Sequence, residues 1–302
     1  MAPSTEHGAL RVAIVGGGIG GLACALGLAR AGVHVRLFES APAFQEIGAG
    51  ISFGLNAQHA LEQLGLGAEF QQLATQIPTG QWFQWRCGEG NSDSSSAHAL
   101  LGETRSPHGN TSCHRAEFLD RLAGLLPQEV ARFGHRLETV SMPDAQGLQV
   151  LRFKNGEEYR AHVVIGADGI HSKAREILAE RKEIGEAKLK WSGTWAYRGL
   201  IPTDKFKAAV GNKHGELFAT TPQMFLGRDR HILIFPIAKG ATINVVGFRT
   251  DRSRWPRRPD FPLGDAWTQE TTQKDMLDDF AGWGEEMLSI MKVRGRGRAR
   301  ER

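Results

Sequence analysis

Residues 10–39, LRVAIVGGGIGGLACALGLARAGVHVRLFE, constrain what this 302-residue chain can fold into more tightly than any other stretch. Residues 10–15 are a short apolar, β-branched run of the kind that forms a buried parallel strand. Gly16-Gly17-Gly18-Ile19-Gly20-Gly21 follows at once, so Gly16, Gly18 and Gly21 fill a G-x-G-x-x-G frame. Residues 22–30 are rich in Ala and Leu, as a helix requires, and Gly32 supplies the stop. Residues 33–38 read as a second strand, with Glu39 at its end. The pattern is a βαβ unit.

The spacing has a physical reason. In such a unit the first glycine permits a tight turn, the second lets backbone approach a pyrophosphate, and the third lets helix and strand pack closely. The helix N-terminus offers unpaired N–H groups and the positive end of its dipole to phosphate. Glu39, 18 residues beyond Gly21, stands where a carboxylate accepts ribose hydroxyls. A carboxylate there repels a 2′-phosphate, so FAD or NAD is expected rather than NADP. Candidate nucleotide contacts are Gly16, Gly18, Ile19, Gly20, Gly21 and Glu39. A glycine-rich βα turn without a ligand is the competing reading.

Length allows one large or two modest domains. Residues 12–29 are apolar enough to catch a hydropathy window, but their glycines, the missing basic n-region and the flanking charges argue against a signal peptide or a membrane span. The three cysteines, Cys24, Cys87 and Cys113, form no CxxC, so neither a disulfide framework nor a metal site is expected. Asn110-Thr111-Ser112 fits a glycosylation sequon and, without a secretory signal, is read as chance. The expectation is a cytoplasmic protein in a reducing compartment. A pI near 9.1 invites a nucleic-acid partner. Residues 292–302, however, hold six basic residues and one acidic, +5 against +4 for the whole chain, which leaves the remainder at −1. The basicity is a tail rather than a face, and no nucleic acid is expected.

Along the chain, residues 1–9 read as a polar lead-in and residues 46–51 (EIGAGI) as a second glycine-rich turn. Residues 56–64 form a short amphipathic helix ended by Gly65, and residues 81–86 a strand. Residues 88–112 are dominated by Ser, Gly, Asn and His and read as a mobile surface excursion. Phe118, Leu119, Leu122, Leu125 and Leu126 make a helical stripe. Asn155-Gly156 between two strand-like runs predicts a hairpin with a two-residue turn. Residues 163–165 form a strand that runs into GADGIHSKAR at residues 166–175, a turn and a helix. Residues 188–250 read as mostly antiparallel β, including GELFATT at residues 215–221, and residues 276–291 return to helix. A helix-and-parallel-strand half followed by an antiparallel half predicts two substructures with a ligand cleft between them.

These motifs resemble the class A flavoprotein aromatic hydroxylases, and within them the salicylate hydroxylase-like branch, over about residues 11–283. The resemblance implies an α/β fold: a Rossmann-like FAD-binding domain with a parallel sheet at residues 10–185, with residues 80–112 reaching toward the substrate side. A mostly antiparallel β substrate domain follows at residues 186–268, then a helix at 269–291 returning to the FAD domain and a disordered basic tail at 292–302. It implies that Gly16–Gly21 and Glu39 hold the ADP half of FAD, that Ala49 and Gly50 in the GAGI turn pass beside the flavin, and that Arg115 and Asp168 serve FAD. Asp168 belongs to the family's second fingerprint, implicated in nicotinamide access. The strands at residues 196–202 and 231–237 resemble those that wall the substrate pocket. The family's third fingerprint, a Gly-Asp followed by a histidine and a Pro/Gly-rich turn, has no counterpart here. Residues 275–284 match the segment just upstream of it, KVRGRGRARER follows, and Gly264-Asp265 lacks that context. The expectation is a chain truncated before that motif, with the C-terminal part of the FAD domain missing.

The implied reaction is NADH- or NADPH-dependent monooxygenation: reduced flavin and O2 form a hydroperoxide that hydroxylates a small phenolic or aromatic carboxylate substrate. Candidate catalytic residues are Arg198, which can hold a substrate carboxylate or phenolate, and His231, which can accept the phenolic proton. The plainer readings are an exposed strand Arg and a structural or solvent-facing His. Those of Arg115 and Asp168 are a helix-terminal Arg and an Asx-turn. Two other functions stay open: an FAD-dependent dehydrogenase or oxidase of the same fold, and an inactive nucleotide-binding remnant. The oligomeric state is left open.

Overall fold

A computed structural model describes residues 10–44, 49–77, 80–90, 98–185, 187, 189–254, 268–269, 271–293 and 300–301. The chain forms two compact units, each assembled from discontinuous segments: residues 1–46, 59–70 and 116–189, and residues 47–58, 71–115 and 190–302.

The first unit is built on a four-stranded parallel sheet in the order Val163–Gly166, Arg11–Val15, His34–Phe38, Ala131–Arg132. Val12, Ala13 and Ile14 are almost wholly buried, as an unbroken apolar run in a parallel strand should be. The helix Ile19–Arg30 buries Leu22, Ala25 and Leu26 and ends at Gly32, whose φ of +75° suits glycine. Phe118, Leu119 and Leu122 of the helix Arg115–Leu125 are buried, so the expected stripe forms. A three-stranded antiparallel sheet, Leu137–Val140, Gln149–Phe153 and Glu158–Ala161, adds a core of Phe38, Leu151, Phe153 and Ala161. Its hairpin differs from the expected two-residue turn. Phe153 and Glu157 close a three-residue loop in which only Gly156 has positive φ (+86°), while Asn155 Oδ1 accepts the Glu157 N–H. A two-residue type I′ turn would need positive φ at both central residues; a type I turn ending in a glycine bulge needs it at one.

The second unit carries an eight-stranded sheet in the order Thr268–Gln269, Arg300–Glu301, Thr194–Pro202, Thr242–Thr250, Arg230–Ile237, Gln223–Gly227, Gln81–Cys87, Leu100–Arg105. One pairing, Gln81–Cys87 with Gln223–Gly227, is parallel. A smaller sheet joins Gly50–Phe53, Thr111–His114 and Thr75–Gln76. One face of the large sheet is covered by helices, around Ile201, Phe206, Phe218, Phe225, Ile234, Phe280, Met287 and Ile290.

Four expectations give way here. Residues 215–221, expected as a strand, form the helix Gly215–Thr220, because Phe218 and Ala219 are buried together on one side of it. Residues 276–291 form two helices, Gln273–Asp279 and Glu285–Lys292, parted where Gly282 takes a φ of +83°. These helices pack on the antiparallel sheet of the second unit. Within the Ser- and Gly-rich excursion, Leu100–Arg105 is a strand paired to Gln81–Cys87; residues 91–97 lie outside the described residues. Of the basic tail, Lys292 closes the last helix and Arg300–Glu301 pair with Tyr197 and Ala196. Residues 294–299 and 302 lie outside the described residues, as do residues 1–9, 45–48 and 264–265.

The last helix is pinned by a buried polar cluster with a pH consequence. Glu286 meets His214 Nδ1 at 2.9 Å and His98 Nε2 at 3.1 Å. Arg86 donates to Gln223 Oε1, Gln84 Oε1 and the His98 carbonyl. Burial pushes His98 below its ordinary value of 6.5; Glu286 opposes this, and His214, Arg86 and Lys213 reinforce it. A base with a lowered folded pKa contributes stability that is complete above its unfolded pKa. Below 6.5 the unfolded chain takes up a proton that the folded unit resists, so stability falls with pH. The urea midpoint is expected to drop between about pH 7.5 and pH 5.5. His98→Asn, which tolerates the native φ of +58°, should flatten that slope. An unchanged slope would assign the pH response to other groups.

Candidate functional site

The glycine frame holds the geometry its spacing demands. Gly16 has φ +108°, and a Cβ there would lie 2.3 Å from the Ala167 carbonyl oxygen. A Cβ on Gly21 would lie 2.0 Å from the Gly16 carbonyl oxygen, so helix and turn touch through bare backbone. At Gly18 and Gly20 a Cβ would meet nothing within 4 Å. The first and third positions of the frame are thus filled by protein, and the middle one faces open space. Gly18 is the N-cap of the helix that begins at Ile19, with no side chain capping it and no acid in its first turn. Its orphan N–H groups and dipole remain available to an anion.

A cavity of about 860 Å³ opens here, lined by Gly16, Gly18, Glu39, His135, Asp168 and Lys173 among others. Glu39 Oε2 accepts the Gly17 N–H at 2.7 Å, and Oε1 accepts the Ala41 N–H at 2.7 Å and the Ser40 hydroxyl at 3.1 Å. A carboxylate offers about four acceptor positions. Three are used, so holding both ribose hydroxyls requires one of these bonds to exchange. Asp168 is equally committed: Oδ1 accepts the Ser172 hydroxyl at 2.5 Å, and Oδ2 accepts the N–H groups of Lys173 and Ala174 at 2.7 and 3.1 Å. Ser172 Oγ in turn accepts the Arg175 N–H and caps the helix Lys173–Lys182. The GADGIHSKAR string is therefore a helix cap at the cavity wall, and the Asx-type reading of Asp168 describes a bond network that is present.

The second unit gathers the remaining candidates. Ala49 accepts the Arg115 N–H through its carbonyl at 2.9 Å, and the Arg115 side chain is exposed. The Gly50 N–H donates to Asn244 Oδ1 at 2.8 Å, and a Cβ on Gly50 would come within 2.8 Å of Asn244 and Phe235. The glycine-rich strand therefore presses against the large sheet at Asn244.

Register assigns the sheet faces. Arg198 pairs with Val246, which pairs with Leu233; Ala196 pairs with Phe248, which pairs with His231. Directly opposed residues share a face, and alternate residues along a strand share it too. Arg198 and His231 thus stand on one face, two strands or about 10 Å apart across the sheet and one row apart along it. That face also carries Leu200, Leu233, Phe235, Met224 and Trp85, and it is the one opposite the helices. The His231 ring stacks on Phe248, with centroids 4.3 Å apart and planes at 15°. Burial pushes its pKa below the ordinary 6.5, so the imidazole is neutral at neutral pH.

The family described as FAD binding domain matches residues 9–253. The chain belongs to the FAD-binding domain family. Among curated proteins, this family member is similar to a salicylate hydroxylase of Pseudomonas putida, 44% identical over 290 residues that cover 94% of the chain and 64% of that relative. It is also similar to the 6-methylsalicylate 1-monooxygenase of Aspergillus terreus, 38% identical over 93% of the chain and 62% of that relative. A solved salicylate hydroxylase substrate complex superposes with a TM-score of 0.78 at 34% identity, over 97% of the chain and 67% of that structure. The chain spans less than two thirds of the length of these two curated relatives. FAD is the family's cofactor, and the glycine cradle fits its pyrophosphate: bare backbone where protein must close up, open space where a ligand must approach.

The structure thus gathers Gly16, Gly18, Glu39 and Asp168 around one cavity, with Ile19, Gly20 and Gly21 in the first turn of the helix that Gly18 caps. It brings Ala49, Gly50 and Arg115 together in the second unit, and sets Arg198 and His231 on one sheet face. Two residues escaped sequence reasoning. Asn244 was detectable as the one amide in the apolar run TINVVGF of a strand buried on both faces. Phe248 was not, because only cross-strand register pairs it with His231. Among the described residues, no helix is long and apolar enough to cross a membrane.

Proposed function

We propose that this chain carries FAD- and substrate-binding residues of an aromatic monooxygenase of salicylate hydroxylase type. The reaction consumes NADH or NADPH and O2 and hydroxylates a small phenolic or aromatic carboxylate substrate. The observation that carries this reading is the shared face: a guanidinium and a neutral imidazole among apolar side chains, opposite the helix-covered side of the sheet.

Bound FAD supplies the redox chemistry, taking electrons from the nicotinamide cofactor and delivering them to O2. The orphan N–H groups at Gly18–Gly21 and the carboxylate of Glu39 hold its pyrophosphate and ribose. Ala49, Gly50 and Arg115 would serve its flavin half. Arg198 anchors the substrate carboxylate or phenolate through paired charge-assisted hydrogen bonds. His231 accepts the phenolic proton on a ring nitrogen, leaving electron density on the aromatic ring. The apolar residues of the face keep water away from that charge.

The test is spectral. The purified chain is incubated with FAD, freed of excess, and its visible spectrum recorded. Retained flavin bands that bleach with NADH or NADPH, recover in air and turn over faster with salicylate are the expected result. A chain that retains no flavin overturns the reading. Flavin that cycles without hydroxylated product points instead to an oxidase of the same fold.

A further inference from the structure

Among the described residues, His98, His135, His214 and His231 lie against aromatic rings, and the first three are also held by hydrogen bonds. His98 and His214 meet Glu286. His135 meets the Phe133 carbonyl through Nδ1 and Glu157 through Nε2. Those bonds fix the ring planes. His231 differs: among the described residues neither of its ring nitrogens has a hydrogen-bond partner, and the one ring contact it makes is with Phe248. The terminal torsion of a histidine is broad, so an imidazole without hydrogen bonds takes its plane from packing alone.

We infer that Phe248 is a positioning residue for His231, a platform that fixes the imidazole plane on the sheet face where Arg198 also stands. The two residues are direct cross-strand partners, so the backbone register sets the stack and no loop has to order for it. At 4.3 Å and 15° the rings lie face over face, so the edge of the imidazole, with both nitrogens, lies in a plane parallel to the Phe248 ring and neither nitrogen is aimed at it. Only an edge presentation lets a ring nitrogen take a proton from a hydroxyl lying in its plane. The same π face accommodates the imidazolium once the proton has moved, because a cation is attracted to it. Phe248 thus serves both protonation states without touching the substrate. This inference rests on the proposed function for the reaction, and on geometry alone for the stack.

The experiment has two arms. In the first, ring proton signals of His231 are recorded on the whole chain and assigned by their loss in His231→Gln. Phe248→Leu should remove their upfield ring-current displacement, and Phe248→Tyr should retain it. In the second, Phe248→Leu should lower kcat for hydroxylation about 10- to 100-fold with little change in the KM for the aromatic substrate. Phe248→Tyr should restore it, and in a His231→Gln background Phe248→Leu should add no further loss. Unmoved ring signals, or an equal loss in both backgrounds, overturn the inference. Absent turnover in every variant, including the parent, with the ring-current displacement intact overturns the assigned reaction, and with it the positioning role, but not the stack.

Discussion

Gly21→Ala is expected to destabilise the nucleotide-binding unit by about 3 kcal/mol, while Gly18→Ala, three residues away, leaves the fold intact and weakens FAD binding about 10- to 100-fold. The difference lies in what each new methyl group meets. At Gly21 it meets the Gly16 carbonyl at 2.0 Å, and that carbonyl belongs to a residue at φ +108° whose own neighbourhood is closed by Ala167. Backbone on both sides cannot rotate away as a flexible side chain would, so the cost falls at the upper end of the range for overpacking. For a unit of this size, a loss of about 3 kcal/mol lowers Tm by roughly 6–12 °C. At Gly18 the methyl meets nothing within 4 Å, and the native φ of −70° and ψ of 177° are open to alanine. The cost to the fold is then at most about 1 kcal/mol, from replacing one N-cap residue by a poorer one. In the proposed FAD site the methyl would occupy the space through which pyrophosphate approaches backbone, a loss of about 1.4–2.7 kcal/mol in affinity. Urea unfolding of the FAD-free chain and fluorescence titration with FAD separate the two effects. If Gly18→Ala binds FAD as the parent does, the phosphates lie elsewhere.

His231→Gln should lower the rate of hydroxylation about 10²- to 10⁴-fold, the range for removing a general base, while the bound flavin remains reducible. Glutamine keeps an amide of similar reach but has no basic nitrogen. The pH profile carries the sign. In the proposed role the neutral imidazole is the active form, and burial holds its pKa below the ordinary 6.5. The parent should therefore lose activity only on the acid side of that value, and His231→Gln should lack this limb. A limb that survives the substitution belongs to another group. Arg198→Gln should act differently, raising KM for a carboxylated substrate about 10- to 100-fold, as expected when a charge-assisted bond of about 1.5–3 kcal/mol is lost. It should leave the KM of an uncharged phenol nearly unchanged. Equal losses on both substrates would make Arg198 a structural residue.

The βαβ unit was legible because three signals coincide in residues 10–39: strand composition, the glycine frame and helix composition ended by glycine. The structure closes backbone against Gly16 and Gly21 and leaves Gly18 facing open space, so the first and third positions of the frame tolerate no side chain. Elsewhere the signal was weaker for physical reasons. Residues 215–221 are a short apolar run, where strand and helix periods cannot be told apart, and burial of Phe218 decided for helix. Leu100–Arg105 is mostly exposed, so its strand leaves no alternation in the sequence and exists through backbone pairing with Gln81–Cys87. Gly282 and Gly284 inside an apolar stripe were the available sign that residues 276–291 break into two helices. At the site, residue types were readable and neighbours were not. Arg198 and His231 could be named from the chain, but their common face follows from their pairing to Val246 and Phe248. Likewise, the bond from the Gly50 N–H to Asn244 spans 194 residues.

The single parallel pairing in the large sheet carries a kinetic consequence. Gln84 and Gln223 are neighbours across that pairing and 139 residues apart in the chain. The Gln81–Cys87 strand therefore reaches the ribosome exit long before its inner partner exists, with only Leu100–Arg105 to pair with in the meantime. Loop closure over such a span is slow, though its entropy grows only with the logarithm of length. The two strands wait as a lone hairpin bearing Trp82, Phe83 and Trp85, too small to be stable by itself and apolar enough to associate with other chains. Refolding yield should then fall with protein concentration and recover with a holdase chaperone, and the interval before Gln223–Gly227 is made is when a nascent chain of this kind is most exposed to loss.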